Sequence, residues 1–221
     1  MKTRIASIAF AALLATAGWA AEEAPYDLLF KNGTLDTLSE TDALAYTRAV
    51  TSTLKPEAAD RDTGRIVLDV ERGEKALAHL EFRQGEKHRN LGSFPASVGN
   101  PMIMYFYEST VRDMAEMAGG SPFYIRNRVK DALVQPVEIT EGEATWNGET
   151  VATKTVVLEP FANDPNRAQM QGFGDLALRV VMSDAVPGWY LSLTAEAPAQ
   201  NGGSEPVYRS ELNFDGVEEA R

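Results

Sequence analysis

Two helix start signals, each followed by a helix stop, lie in the middle of a chain whose other segments alternate between apolar and polar residues. Asn100-Pro101 places an N-cap residue before a proline that suits a first helical turn, and Gly119-Gly120 ends the pattern. Ser121-Pro122 repeats the start, and Pro136 ends a second helix. The sequence therefore predicts two helices within residues 99–134, placed between two sets of strands.

The segments before this helical insertion are predicted to be mostly strands. From Ala43 the pattern has period two, with Leu44, Tyr46, Arg48 and Val50 alternating with small or polar residues. Residues 65–73 and 75–85 follow as two strands around a turn, although a helix remains open for 75–85. Three further segments have weaker signals. Residues 27–30 are predicted to be a short strand, 55–64 a polar loop, and 85–97 a turn with a short extended piece.

Strands resume after the insertion. Asn147-Gly148 separates two alternating runs, which is a strong hairpin signal. A second hairpin is predicted from 175–184 and 189–197, a last strand from 207–218, and loops at 162–174 and 198–206. Because hairpins pair their strands antiparallel, the order of elements predicts an α+β fold with the helices on one face of an antiparallel sheet.

The first twenty residues are predicted to be a signal peptide. "MKTR" is positively charged, "IASIAFAALLATAG" is an apolar run too short for a typical membrane span, and Gly18 and Ala20 suit a cleavage site. The mature protein then begins near Ala21, is periplasmic, and forms one domain over residues 21–221. No other long apolar segment follows, so no integral membrane segment is expected after cleavage.

The charge and the cysteine content exclude several classes of protein. The chain has 21 Lys and Arg residues against 32 Asp and Glu, and loss of Lys2 and Arg4 with the signal peptide gives a net charge of −13. A nucleic-acid partner is not expected, because phosphate binding needs a basic surface. There is no cysteine, so disulfides cannot stabilise this exported chain.

No motif predicts catalysis, a metal or a cofactor. The G-x-G-x-x-A match at 172–177 precedes a strand instead of opening a helix, and residues 60–64 lack the further ligands of a calcium loop. His79 and His88 do not have zinc-ligand spacing. Methionines of the first predicted helix are soft donors for copper(I), but methionine more often fills cores. An enzyme with a dispersed site, built on a histidine beside a carboxylate, is the least favoured alternative.

The run "MIMYFY" at 102–107 is the most unusual apolar segment. On a helix, most apolar residues of 101–118 fall on one stripe, and Glu108, Arg112, Asp113 and Glu116 form the opposite, water-facing side. Met102, Met104 and Tyr105 fall on that side too. Leaving such side chains in water forgoes about 1.5–3 kcal/mol each. We therefore expect them to be covered by the protein's own loops, such as 93–97, by a ligand, or by a partner.

The second predicted helix carries a local basic cluster in an acidic chain. Arg126 and Arg128 are candidates for contact with an anionic group, and pairing with the protein's own carboxylates is the alternative. The candidate ligand-binding residues are all apolar or aromatic. They are Met102, Met104, Tyr105, Phe106, Tyr107, Met114, Met117, Phe123 and Tyr124. Trp146 and Trp189 are large strand residues that either line a cavity or belong to the core.

The C-terminal half resembles the LolA/LolB/LppX type of periplasmic lipoprotein and lipid carriers. The resemblance rests on "VATKTVVLEPF" ending at Pro160, the hairpin "DLALRVVMSD-AVPG-WYLSLTAEA", the closing strand "VYRSELNFDGVE", and the helical insertion 99–134 before them. It implies an antiparallel sheet curved into an incomplete, half-open barrel, with two lid helices over an apolar cavity. It implies no catalytic residue.

These observations predict a non-enzymatic periplasmic carrier or binding protein for a hydrophobic small molecule, an acyl chain or another lipid-anchored ligand, bound between the sheet and the helices. The alternative is a protein–protein interaction module that docks a partner through the apolar start of the 101–118 helix.

Overall fold

Ten strands and four helices build the fold. The computed structural model describes residues 22–200 and 203–220, so the predicted signal peptide lies outside the described residues. The strands are β1 (Glu22–Glu23), β2 (Asp42–Ser52), β3 (Gly64–Glu71), β4 (Leu77–Gln84), β5 (Lys87–Pro95), β6 (Val137–Trp146), β7 (Glu149–Leu158), β8 (Ala177–Met182), β9 (Tyr190–Ala197) and β10 (Tyr208–Glu219). The helices are α1 (Tyr26–Leu29), α2 (Pro56–Asp62), α3 (Met102–Ala118) and α4 (Pro122–Leu133).

All ten strands belong to one antiparallel sheet, in the order β1-β6-β7-β8-β9-β10-β2-β3-β4-β5. The last strand, β10, pairs with both β9 and β2, and so joins the strands that follow the helices to those that precede them. Within the described residues, β5 and β6 have no strand pairing with each other, so the sheet is open.

The sheet is strongly curled. Trp146 of β6 stacks on Phe214 of β10 with ring centroids 6.1 Å apart, although three strands lie between β6 and β10 in the sheet order. A flat sheet would hold these rings well over 10 Å apart, since neighbouring strands are about 4.8 Å apart. The architecture is therefore α+β with a barrel-like, open antiparallel sheet.

The two predicted helices are confirmed as α3 and α4. Ser121 occupies the N-cap position of α4 without a side-chain capping hydrogen bond, and Pro122 follows it in the first turn. The backbone N–H of Met102 donates to Asn100 Oδ1 at 2.9 Å, so Asn100 caps the start of α3. Gly119 and Gly120 follow α3 with φ of 82° and 94°, a region that favours glycine. These two residues form the elbow between α3 and α4.

The predicted strands on both sides of the insertion are also confirmed, including 75–85, which is strand β4 and not a helix. Asn147 and Gly148 both have positive φ, 50° and 81°, as the type I′ turn between β6 and β7 requires.

Three predictions were wrong. Residues 27–30, predicted as a strand, belong mostly to the short helix α1, in which Leu29 is buried. The predicted loop 55–64 contains helix α2, which begins at Pro56 and buries Ala58 and Ala59. Residues 87–95 form the full strand β5, whose largely exposed edge position explains why it lacks apolar alternation.

Among the described residues, no helix combines the length and the apolar character needed to cross a membrane.

Candidate functional site

The predicted ligand-binding residues of α3 are mostly buried against the protein's own sheet. Met102 and Phe106 are fully buried, and Tyr105, Tyr107, Met114 and Met117 are nearly so. The exceptions are Met104, which is 45 % exposed, and Phe123 at the start of α4, which is 75 % exposed. Tyr124 is half-buried. The structure thus brings most of these side chains into the packed contact between α3 and the sheet.

The protein covers two of the three residues that the sequence placed on the water-facing side of α3. Met102 is buried beside the capping residue Asn100, whose side-chain amide also donates to Gly188 O at 2.8 Å. The hydroxyl of Tyr105 accepts a hydrogen bond from Arg48 Nη1 at 3.0 Å. Only Met104 keeps a large exposed surface, so the unexplained apolar surface of this helix turn is reduced to one side chain.

A buried polar cluster joins α3 to the sheet. Arg48 of β2 is fully buried and its Nη2 donates to Asp113 Oδ2 at 2.7 Å, while the Tyr208 hydroxyl donates to the same oxygen at 2.7 Å. The prediction that Asp113 faces water was therefore wrong. Asp113 is buried because it pairs with the buried guanidinium of Arg48. Helical spacing alone does not reveal such a partner.

The electrostatics of this cluster combine burial with charge pairing. Burial raises the pKa of Asp113, and the nearby guanidinium of Arg48 only partly opposes this. Burial alone would lower the pKa of Arg48, but Tyr105 and Asp113 hold it above its ordinary value. Arg48 therefore stays charged, and Nε of Arg48 is buried without a hydrogen-bond partner among the described residues. The cluster is closed to solvent, and its hydrogen bonds join α3 to β2 and β10.

The two candidate arginines of α4 pair with the protein's own carboxylates. Arg126 forms two hydrogen bonds with Glu108 of α3, at 2.6 and 2.7 Å, and these lower the pKa of Glu108. Arg128 contacts Asp164 at 3.1 Å and Asp131 at 3.3 Å. This arrangement is the alternative that the sequence left open, and contact of either arginine with an anionic ligand stays a prediction.

A methionine-lined cleft opens at the elbow between α3 and α4. We call it the elbow cleft, and its volume is 360 Å³. The end of α3, the first turns of α4 and the segment 166–170 enclose it. Its main lining residues are Met114, Ala118, Tyr124, Ile125, Gln169 and Met170. Met114, Ile125 and Met170 are buried, so they form an apolar floor, while Gln169 is exposed at the rim.

Hydrogen bonds hold one wall of the elbow cleft in place. The Tyr124 hydroxyl donates to Asp164 Oδ2 at 2.6 Å, and Asn166 Nδ2 donates to the same hydroxyl at 3.2 Å. Burial by itself would raise the pKa of Asp164, but its bonds with Tyr124 and Asn166 and the charge of Arg128 lower it. The segment 159–170 is thereby fixed against α4.

A second cleft of 460 Å³ lies further along the same face of α4. Its charged and polar lining comes from Arg128 and Asp131 of α4, from Gln135 just after α4, and from Glu159 and Asp164 of the opposite segment, and its apolar lining includes Val137, Val157 and Leu158. Its charged side chains distinguish it from the elbow cleft, whose described lining residues carry no charge. The Tyr124–Asp164 and Arg128–Asp164 contacts lie between the two clefts.

Neither histidine lines either of these two clefts. His79 Nδ1 lies 2.7 Å from Ser93 Oγ, and His79 Nε2 lies 3.3 Å from Glu71, on the surface formed by β3, β4 and β5. His88 Nδ1 lies 3.0 Å from Glu81. Within residues 22–200 and 203–220, no group of three or more His, Asp or Glu side chains is placed to hold a metal ion.

Sequence reasoning missed half of the elbow cleft. It named Met114 and Tyr124, but it treated Met170 and Gln169 as loop residues and Gly119-Gly120 only as a helix stop. A local signal existed in "RAQMQGFG", where one methionine stands in a polar loop. That signal does not say which part of the chain the methionine contacts.

Comparisons with known proteins give only distant likenesses. No family model and no curated protein matches the chain. Among solved structures, a beta-barrel-like protein of domain of unknown function DUF1849 from Brucella abortus has 10 % identity and a TM-score of 0.21, and the match covers 81 % of this chain and 98 % of that one. The dehydratase domain from the CurK module of curacin polyketide synthase has 10 % identity and a TM-score of 0.14, covering 85 % and 78 %.

Proposed function

We propose that this protein is a non-enzymatic binding or carrier protein for a hydrophobic or lipid-anchored ligand in the periplasm. The observation that carries the proposal is the elbow cleft, which combines a methionine floor with two glycines and a fixed polar rim. Methionine side chains are flexible and polarisable, so they adapt to apolar ligands of different shape. A cleft of this size accommodates part of an acyl chain, and small-molecule sites are commonly about 300–1,000 Å³.

The open, curled sheet and the two-helix insertion also support the LolA-like resemblance that the sequence carries. The ligand position that we propose differs from the one this resemblance implies. The inner face of α3 is packed on the sheet by buried side chains such as Phe106 and Val111. We therefore place the ligand at the elbow of the two helices, and not under the middle of α3.

The test uses one substitution at two matched positions. Gln169 and Gln135 are both exposed, and they line the elbow cleft and the second cleft respectively. Binding of a fluorescent fatty acid to the folded protein should weaken by about tenfold in Gln169→Trp, equivalent to roughly 1.4 kcal/mol of lost contact. Gln135→Trp should bind as the unmodified protein does. Equal binding by the two variants, or no binding by a folded sample, would contradict the proposal.

A second candidate function is docking of a partner protein through the exposed apolar side chains of the first turns of α3 and α4. It is favoured by the exposure of Met104 and Phe123, which flank the Glu108–Arg126 pair, with the Arg126 guanidinium 5.7 Å from the Phe123 ring centroid. The two candidate functions differ in the methionine that contacts the bound molecule. An apolar ligand in the elbow cleft contacts Met114, whereas a docked partner protein contacts Met104.

A further inference from the structure

The strand β6 has an open edge over most of its length. On one side it pairs with β7, from Ile139 to Trp146. On the other side β1 pairs only with Val137 and Glu138. In the part of the chain that the structure describes, residues 139–146 have no strand partner on that side. Unpaired N–H and C=O groups on a sheet edge are a template for another strand.

The turn decides which backbone groups point outward. Asn147 and Gly148 form a two-residue hairpin turn, so Trp146 and Glu149 form the hydrogen-bonded pair beside it. In an antiparallel pair these bonds alternate, so residues 145, 143, 141 and 139 direct their N–H and C=O groups away from β7.

The open edge is acidic. Glu141 and Glu143 are exposed and lie on the same face of β6, because side chains alternate along a strand. Both glutamates also line a cleft of 410 Å³ whose other walls include Met182, Ala152 and Lys154. Lys154 lies opposite Glu141 on β7, whereas Glu143 lies opposite Ala152 and has no basic cross-strand neighbour there. A lysine or arginine side chain from an added strand would therefore find carboxylates beside it and apolar surface for its stem.

The charges argue against a second copy of this chain as the occupant. Antiparallel pairing of β6 with another β6 about Gly142 would place Glu141 opposite Glu143 twice, and like charges directly opposite are destabilising. The net charge of −13 after loss of residues 1–20 also makes two copies repel each other. The same net charge attracts a basic partner.

We propose that β6 binds an extended segment of a partner protein that carries lysine or arginine at alternate positions, which adds to the sheet as an eleventh strand. Main-chain hydrogen bonds to residues 139–145 supply the affinity, and Glu141 and Glu143 select the basic sequence. This inference does not depend on the apolar ligand of the elbow cleft.

The test uses synthetic peptides and the protein lacking residues 1–20. The probe is an eight-residue peptide that alternates lysine with threonine, and its control has proline in place of each threonine, which keeps the charge but prevents strand pairing. Fluorescence anisotropy should show binding of the first peptide, and binding of the control should be weaker by about tenfold or more. Replacing both Glu141 and Glu143 by Gln should weaken binding of the first peptide on the order of fivefold.

A matched pair of variants tests the backbone contribution. Thr145→Pro removes one outward N–H without changing a charge or the ladder to β7, whereas Thr145→Ala keeps it. The proposal expects loss of peptide binding in Thr145→Pro alone, with unchanged thermal unfolding in both. It is overturned if both peptides bind equally, or if Thr145→Pro binds as well as Thr145→Ala. It is also overturned if the protein alone self-associates as its concentration rises and Thr145→Pro abolishes this self-association, because β6 would then pair with a second copy.

Discussion

Arg48 and Asp113 are the pair of residues on which the position of α3 most depends. Their charges are buried together, and Tyr105 and Tyr208 complete the hydrogen bonds on either side. A buried ion pair adds little to stability compared with well-packed apolar residues, but removing one partner leaves an uncompensated charge. The pair therefore specifies where α3 sits more than it strengthens the fold.

Replacement of Asp113 by Asn should destabilise the protein by about 3–5 kcal/mol, because Arg48 then remains buried without a counter-charge. The double variant Arg48→Met/Asp113→Leu should recover most of this loss. Urea unfolding at neutral pH measures both effects, and Asp60→Asn, at an exposed position of α2, is the control. A loss of less than about 1 kcal/mol in Asp113→Asn would show that the pair does not hold α3.

The sequence indicates that Arg48 is buried, but it does not identify the partner of Arg48. The period-two pattern of β2 puts Arg48 in the same row as Leu44, Tyr46 and Val50, all of which are buried. An arginine in such a row predicts a buried carboxylate partner. Nothing in the sequence, however, says that the partner is Asp113, since 65 residues separate the two.

At the scale of the elements, the joint between α3 and α4 is held by the Glu108–Arg126 hydrogen bonds and by the Gly119-Gly120 elbow. The pKa of Glu108 is lower in the folded protein than in the unfolded chain. The unfolded chain therefore binds more protons in this range, and stability rises with pH. This contribution is present above about pH 4.3, the value for an unperturbed Glu, and is lost as the pH falls through the folded pKa.

The variant Arg126→Gln should accordingly lose part of its acid sensitivity. Its free energy of unfolding should fall below that of the unmodified protein at about pH 6 and approach it as the pH falls through the lowered folded pKa of Glu108, where Glu108 becomes protonated in both proteins. Urea unfolding at a series of pH values measures the difference between the two proteins. Asp113 contributes with the opposite sign but equally to both, so the difference isolates the Glu108–Arg126 pair. A difference that stays constant with pH would contradict the assignment.

Local signals predicted the elements that begin and end at distinctive residues. The helices α3 and α4 and the β6–β7 hairpin were predicted because residues at their ends determine the local backbone conformation. These residues are Asn100, Gly119-Gly120 and Asn147-Gly148. Helix α2 and strand β5 were not, because neither has a clear period of apolar residues. Helix α2 buries only alanines and Asp62, and β5 is a mostly exposed edge strand.

At the scale of the whole molecule, the decisive features arise from contacts between distant segments. The alternation of each strand predicts that a sheet forms, but not that β10 joins β9 to β2 or that Trp146 curls onto Phe214. The elbow cleft likewise needs α3, α4 and residues 166–170 together. Pairing order and curvature depend on which arrangement buries the most apolar surface, and that cannot be evaluated one segment at a time.

The central proposal, an apolar ligand in the elbow cleft, is tested most directly by the methyl signals of the methionines. The chain from Ala21 has six of them, at positions 102, 104, 114, 117, 170 and 182. On titration with a fatty acid below its micelle concentration, the methyl resonances of Met114 and Met170 should shift, while those of Met102 and Met182 should not. A shift of Met104 alone, or no shift of Met114 and Met170 at saturating ligand, would contradict the proposed site.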